Sequence, residues 1–270
     1  QRFLNQNLNP PNREGCFYKN ERISIASFSS RLISLFAMSL LISSAASYLL
    51  RYLLRSVDKN LQFINQVFII VQNKSEIPDY VDQSKVIIVT HDEFIPKEYL
   101  PTFNSNTIET FFGNINNLSE HFIYMNDDYL ILNQLSEAHF YTEDDKAITY
   151  FIPYYFKMNI PNSFEEILIR NNELVYNISR EEALKNSYTI GVHHTVRPYF
   201  KSCYKECYNK YWDKIRKTIS RFRSEDNYNL YIVDAYQDKI TKSINKQSIT
   251  LSVIKNNYTE NLILYALNSA

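Results

Sequence analysis

Glycine is nearly missing from this chain, with 3 residues in 270. Neither a G-x-G-x-x-G fingerprint nor a P-loop pattern occurs, so phosphate binding through a glycine-rich loop is excluded. Cysteine is equally scarce: Cys16, Cys203 and Cys207. An odd number leaves at least one thiol without an intrachain partner. Cys203 and Cys207 stand four apart on an expected helix, which suits a disulfide poorly, and no C-x-x-C spacing points to zinc. The expectation is three free thiols in a reducing compartment. Net charge is also lacking, with 29 basic and 29 acidic side chains. Bulk electrostatic attraction to nucleic acid is therefore not expected.

What the chain has in quantity is apolar and aromatic surface. Hydrophobic residues make up 45%, with 22 tyrosines and 17 phenylalanines, enough for a large core. The charges that cancel in total are segregated. Residues 76–145 carry 14 acidic and 2 basic side chains, and residues 197–223 carry 9 basic and 2 acidic. Such a division suits a divalent cation on one side of a site and phosphates on the other. Two ordinary solvated faces would give the same pattern.

Residues 1–24 are asparagine-rich with Pro10-Pro11 and show no clear period. Leu32 to Leu50 follows without a charge, between Arg31 and Arg51. That length reaches a bilayer span. Its five serines make a buried or interfacial helix the competing expectation. From Asn60 onward, short apolar runs alternate with helical segments. Gln66–Val71 and Lys85–Thr90 read as strands buried on both faces. Ser105–Asn116 reads as a helix capped by Ser105, and Ser163–Val175 and Ser179–Lys185 as two more, the last with a capping box from Ser179 to Glu182. Tyr199–Phe222 reads as one long helix and Asp226–Asp238 as another. Strands separated by helices imply an α/β fold: a mainly parallel central sheet, glycosyltransferase- or Rossmann-like, with helices on both faces and a helical C-terminal part. The expected division is 1–48 as an N-terminal segment with an apolar helix over 32–50, 49–160 as the α/β core, and 161–270 as a mostly helical part completing the site.

One stretch carries more chemistry than the rest. His121–Asp128 reads HFIYMNDD, an apolar strand running into Asn126, Asp127 and Asp128 with no glycine or proline to turn it away. An ionised carboxylate costs several kcal/mol to bury unless it is paired or holds a metal. In open α/β sheets, ligands bind beyond the carboxyl ends of the strands. Asp127 and Asp128 are therefore candidates for metal and phosphate chemistry, with a solvated strand exit as the plain alternative.

Several segments in order resemble the Stealth family of hexose-1-phosphate transferases, which includes bacterial capsule polymerases and the GlcNAc-1-phosphotransferase of lysosomal targeting. They are LRYLLRSV at 50–57, VFIIVQN at 67–73, VTHD at 89–92, LPTFNSNTIE at 100–109 and LSEHFIYMNDD at 118–128, which resemble the family's second conserved region. His193-His194, Pro198, Lys201-Ser202 and RFRSED at 221–226 resemble the third. The family's opening tryptophan block has no counterpart in its usual form, since the only tryptophan is Trp212, and the chain stops soon after NLILYA at 261–266. Both ends are expected to be truncated or altered relative to the family.

The resemblance implies a phosphotransferase that moves a hexose-1-phosphate from a nucleotide sugar, of the UDP-GlcNAc type, to a sugar hydroxyl of a capsular or surface polysaccharide. A phosphodiester forms and a nucleoside monophosphate leaves. It implies Mg²⁺ or Mn²⁺ held by Asp127 and Asp128. Asp128, His194 and Arg223 are the expected catalytic residues, with His194 as base for the acceptor hydroxyl. Asn104, Ser105, Glu109, Asn126, His193, Arg221 and Asp226 are the expected substrate contacts, and His91 and Asp92 lie at the same sheet edge. The expected partners are the nucleotide-sugar donor and the glycan acceptor, with no nucleic acid. Membrane association and oligomeric state stay open. The expected location is the cytoplasm beside the inner membrane, or a Golgi-type membrane in a eukaryote. The alternatives are a non-catalytic sugar-binding relative and a metal-dependent glycosyltransferase.

Overall fold

A computed structural model describes residues 33–38, 44–127, 129–152, 163–185, 191–192 and 196–247. The chain begins there with β1 (Ile33–Met38), α1 (Ser44–Asn60), β2 (Gln66–Val71), β3 (Ile87–Thr90), α2 (Ser105–Thr110) and β4 (His121–Asn126). It continues through β5 (Ala147–Ile152), α3 (Ser163–Tyr176), α4 (Arg180–Lys185) and β6 (Gly191–Val192). β7 (Arg197–Phe200), α5 (Lys201–Ile215), α6 (Tyr231–Lys239) and β8 (Ser243–Gln247) complete it. Five strands form the main sheet in the order β3-β2-β1-β4-β7. The first four are parallel, and β7 runs antiparallel to β4 at the edge. A second sheet has the order β6-β5-β8.

The continuous apolar strands are buried on both faces, and their alternation divides the core in two. Phe68 and Ile70 of β2 and Phe122 and Tyr124 of β4 face one cluster with helices α2, α3, α5 and α6. Val67, Ile69 and Val71, with Ile123 and Met125, face the other. There α1 contributes Leu50, Leu53, Leu54 and Val57, the i, i+3, i+4, i+7 stripe of an amphipathic helix. The parallel sheet with helices on both faces is as expected.

Four expectations are corrected. The uncharged run 32–50 is not one helix: residues 33–38 are a strand and a helix starts only at Ser44. β1 lies between β2 and β4, so the segment assigned to an N-terminal appendage supplies the middle of the sheet. Its apolar character comes from burial on two faces, and no helix among the described residues is long and apolar enough to cross a membrane.

Secondly, Tyr199 and Phe200 belong to β7, and the following helix ends at Ile215, where the Thr218 hydroxyl donates to the Ile215 carbonyl at 2.9 Å. Pro198 is tolerated because β7 is an edge strand. The C-terminal part therefore adds strands as well as helices. Thirdly, α2 stops at Thr110 and a 3₁₀ turn, Phe112–Asn114, replaces its expected second half. α5 crosses so closely here that a Cβ on Gly113 would lie 3.0 Å from Lys205 Cγ. Fourthly, residues 226–230 form a loop and the helix begins at Tyr231. The capping box at Ser179 is present: Ser179 N–H donates to Glu182 Oε2 at 2.8 Å, and Glu182 N–H donates to Ser179 Oγ at 3.2 Å.

Candidate active site

The site is built where two distant loops meet at the carboxyl edge of the sheet. LPTFNS (100–105) enters α2, and RFRSED (221–226) precedes α6. Asn104, fully buried, joins them. Its Oδ1 accepts from Asn106 N–H at 3.1 Å and so caps α2, the role expected of Ser105. Its Nδ2 donates to the Ser220 carbonyl (3.1 Å), the Phe222 carbonyl (3.3 Å) and Asn227 Oδ1 (2.9 Å). Thr107 Oγ1 donates to the Ser220 carbonyl at 2.8 Å, and Phe103 N–H to the Arg221 carbonyl at 2.9 Å. Ser105 is spared from capping, and its Oγ accepts from Arg223 Nη2. The structure thus gives Asn104 an architectural task and brings Ser105 and Arg223 together across 118 residues.

Below this clasp lies Glu109, buried on α2. Tyr124 Oη, on β4, lies 3.0 Å from Glu109 Oε1 and also hydrogen-bonds Asn126 Oδ1. Burial pushes the Glu109 carboxyl up to about 7, against the pull of Tyr124, the Arg223 charge, the Leu230 N–H and Arg197. A phenol has one hydrogen for these two acceptors. The Tyr124 hydroxyl donates to Glu109 Oε1 or to Asn126 Oδ1, and burial of Glu109 raises the share of its protonated form near neutral pH. Glu109, expected as a substrate contact, is enclosed beneath the clasp. It is a buried acid tied to the strand end that carries Asn126 and Asp127, both half-buried.

A second buried charge network stands beside it. Arg197 Nη1 donates to Asp234 Oδ1 at 3.0 Å, and Tyr199 Oη to Asp234 Oδ2 at 2.8 Å. The guanidinium also lies 4.5 Å from the Tyr231 ring centre. Burial raises the Asp234 carboxyl, while Arg197 and Tyr199 hold it back.

At the carboxyl ends of β2 and β3 an open cleft of ≈ 800 Å³ is lined by Asn73, Lys74, Thr90, His91, Asp92 and Thr102, among others. Its position and size fit a ligand site of an open α/β sheet. Burial pushes the His91 imidazole pKa down, favouring its neutral form. Asp92 is held low by the Thr90 hydroxyl, 2.6 Å away. Thr102 connects the cleft to the clasp, since its Oγ1 accepts from Asn104 N–H at 3.3 Å.

Other expected residues are placed as follows. Arg221 and Asp226 are exposed on the loop, and Asp226 lies 3.8 Å from Arg170. Asp128, His193 and His194 lie outside the described residues, so their meeting with Arg223 is not part of this geometry. Lys201 Nζ donates to the Ile115 carbonyl at 2.8 Å, and Ser202 N–H to Glu120, so both tie α5 to the loop before β4. His121 Nε2 lies 2.7 Å from Asp145 Oδ1. Cys203 and Cys207 are free and buried.

Tyr124, Asn227, Arg197 and Asp234 escaped the sequence reading. Tyr124 passed as one more apolar strand residue. The one signal was a lone arginine inside the otherwise uncharged run TVRPYF at 195–200, which needs a buried partner.

Residues 45–149 match Stealth protein CR2, conserved region 2. The match runs from α1 through the acidic strand end into β5, and so contains Asn104, Ser105, Glu109 and Asp127. The chain belongs to the Stealth family. This Stealth chain is 31% identical over 183 residues to the capsular polysaccharide phosphotransferase fcs1 of Haemophilus influenzae, covering 66% of this chain and 50% of that one. It is 32% identical over 192 residues to cps1A of Actinobacillus pleuropneumoniae, of the same description, covering 67% and 50%. To the exopolysaccharide phosphotransferase cps2G of Lactiplantibacillus plantarum it is 36% identical over 96 residues, covering 35% and 28%. The chain spans about half the length of the first two relatives.

Proposed function

We propose that this Stealth chain carries the transfer site of a polysaccharide phosphotransferase, moving hexose-1-phosphate from a nucleotide sugar to a glycan hydroxyl. The observation that carries the reading is the convergence of Ser105 and Arg223 beside the Glu109–Tyr124–Asn126 chain, whose last member directly precedes Asp127 in the sequence. Arginine grips phosphate oxygens through a planar fork, and in phosphoryl transfer positioning and charge neutralisation supply most of the catalysis. The cleft beside Thr102 has the volume for a nucleotide.

In this reading the acceptor oxygen attacks the phosphorus next to the sugar. The bond to the departing nucleoside monophosphate breaks, and the hydroxyl proton passes to His194. The sugar C1–O bond stays intact. Arg223 and Arg221 bind phosphate oxygens, and Asn126 orients the donor.

No group of three or more His, Cys, Asp or Glu side chains that could hold a metal occurs among the described residues. The donor set still fits a hard cation shared with a diphosphate, because Mg²⁺ needs only one or two protein carboxylates when phosphates complete its shell. Asp127 and Asp128 would hold it, and it would neutralise diphosphate charge. The location follows the reaction: the inner face of a membrane where glycan is assembled.

The test is release of nucleoside monophosphate from a panel of nucleotide sugars, with and without EDTA, by the whole protein that contains this chain. We expect release that depends on divalent metal and is abolished in Asp128→Ala. Release of nucleoside diphosphate would instead indicate a glycosyltransferase. No release from any donor would reject the transfer reading and leave a sugar-binding relative.

A further inference from the structure

Four large hydrophobic side chains are exposed among the described residues: Tyr52, Phe103, Leu132 and Phe222. Two of them, 119 residues apart in sequence, lie against each other. The rings of Phe103 and Phe222 are stacked, with centroids 5.7 Å apart and planes at 17°. The pair remains open to solvent, Phe103 at 47% and Phe222 at 65%. Aromatic side chains usually reach a core when they can, and this chain buries many of its other aromatics. A contiguous exposed apolar patch rimmed by polar residues is a feature of binding surfaces.

The pair is also held firmly. Phe103 N–H donates to the Arg221 carbonyl, and the Phe222 carbonyl accepts from Asn104 Nδ2 and from Ser220 Oγ at 2.8 Å. The same clasp fixes Ser105 and Arg223. Ser105 follows Phe103 by two residues and Arg223 follows Phe222 by one, so the exposed rings flank the Ser105–Arg223 contact. Arg221, exposed, flanks them.

We propose that Phe103 and Phe222 form the platform on which a sugar ring of the acceptor glycan stacks. The apolar face of a pyranose carries C–H groups with slight positive charge, and the face of a phenyl ring is slightly negative. The hydroxyls at the sugar's edge then point away from the rings, towards the flanking polar groups. A polymeric acceptor requires an open rim, since all but its terminal residues stay in solvent. A small nucleotide sugar is better served by the concave cleft at the ends of β2 and β3, which has the volume to hold most of it. The assignment of the sugar as acceptor rests on the transfer reading above; the stacking itself does not.

Binding and turnover are therefore measured separately on the whole protein. The binding probe is a phosphodiester-linked hexosamine disaccharide, followed by saturation-transfer NMR. We expect transfer to the C–H face of one ring, lost in the Phe103→Ala/Phe222→Ala double variant and kept in Phe222→Tyr. Both side chains are exposed, so circular dichroism should be unchanged. In turnover, the alanine variants should raise the KM for the acceptor about tenfold or more and leave the donor KM and the slow release of nucleoside monophosphate to water unchanged. An equal NMR signal in the double variant, or none with wild type, would overturn the platform. A rise in donor KM alone would overturn its assignment to the acceptor, as would phenylalanine-dependent binding to anionic lipid vesicles in place of the disaccharide. Wild-type binding without any turnover would sink the transfer reading and leave the platform standing.

Discussion

At Ser105, an ordinary capping residue has been relieved of capping. Asn104 satisfies the start of α2, and the Ser105 hydroxyl is left to receive Arg223. Arg223→Ala removes the guanidinium without touching the core. In the whole enzyme it should lower kcat on the order of a thousandfold, the usual worth of a preorganised arginine in phosphoryl transfer. Nucleoside monophosphate release measures it, with unchanged circular dichroism as the control. Glu109 allows a different test. Its folded pKa of about 7 stands above the ordinary 4.5. Between those values the folded protein keeps a proton that the unfolded chain gives up. Its contribution is complete below about pH 4.5 and is lost as pH rises through about 7. Glu109→Gln keeps a donor towards Tyr124 and cannot ionise. Wild type should therefore lose roughly 3 kcal/mol relative to this variant across that window, as an upper bound. Urea unfolding at pH 4.5 and 7.5 decides it: parallel stability curves for the two proteins would show that Glu109 does not hold its proton.

Between elements, the edge strand β7 and helix α6 are joined by the Arg197–Asp234 pair, both side chains almost fully buried. Removing one partner strands a charge in the core. Arg197→Met should destabilise the fold by about 3–5 kcal/mol. The double variant Arg197→Met/Asp234→Leu should recover much of that loss, read as midpoints in urea. The clasp between the two loops works the same way with neutral groups. Asn104→Ala would leave Asn227 Oδ1 and two carbonyls without the same donor, at about 1–3 kcal/mol. Activity should fall with stability here, because the Arg223 loop loses its anchor. Both devices explain what the sequence reading could not find. Asn104 and Arg221–Asp226 stood out as separate motifs, but an amide joining residues more than a hundred positions apart leaves no local period. Arg197 and Asp234 are 37 apart on different elements, and each alone looks like an isolated charge.

For the molecule as a whole, the decisive element is β1. It pairs with β2 on one side and β4 on the other. A chain that starts at residue 45, where the conserved region begins, would lack the middle of the sheet. We expect such a truncation to be insoluble or to show no cooperative unfolding, and the 270-residue chain to unfold cooperatively; differential scanning calorimetry separates them. Apolar composition over residues 32–50 is compatible with a membrane helix, an interfacial helix or a strand buried twice, since all three shield the same side chains. Only the neighbouring strands select the last for residues 33–38, while Ser44 onward forms the helix α1.

Local pattern was enough for the class of fold, the buried strand before Asn126 and the family, because strand burial and motif spacing are written within a few residues of one another. The position of β1, the division of labour between Asn104 and Ser105, the raised pKa of Glu109 and the pairing of Phe103 with Phe222 emerged from packing alone. Each depends on groups that are remote in the chain and meet only after the sheet and its helices have closed around them.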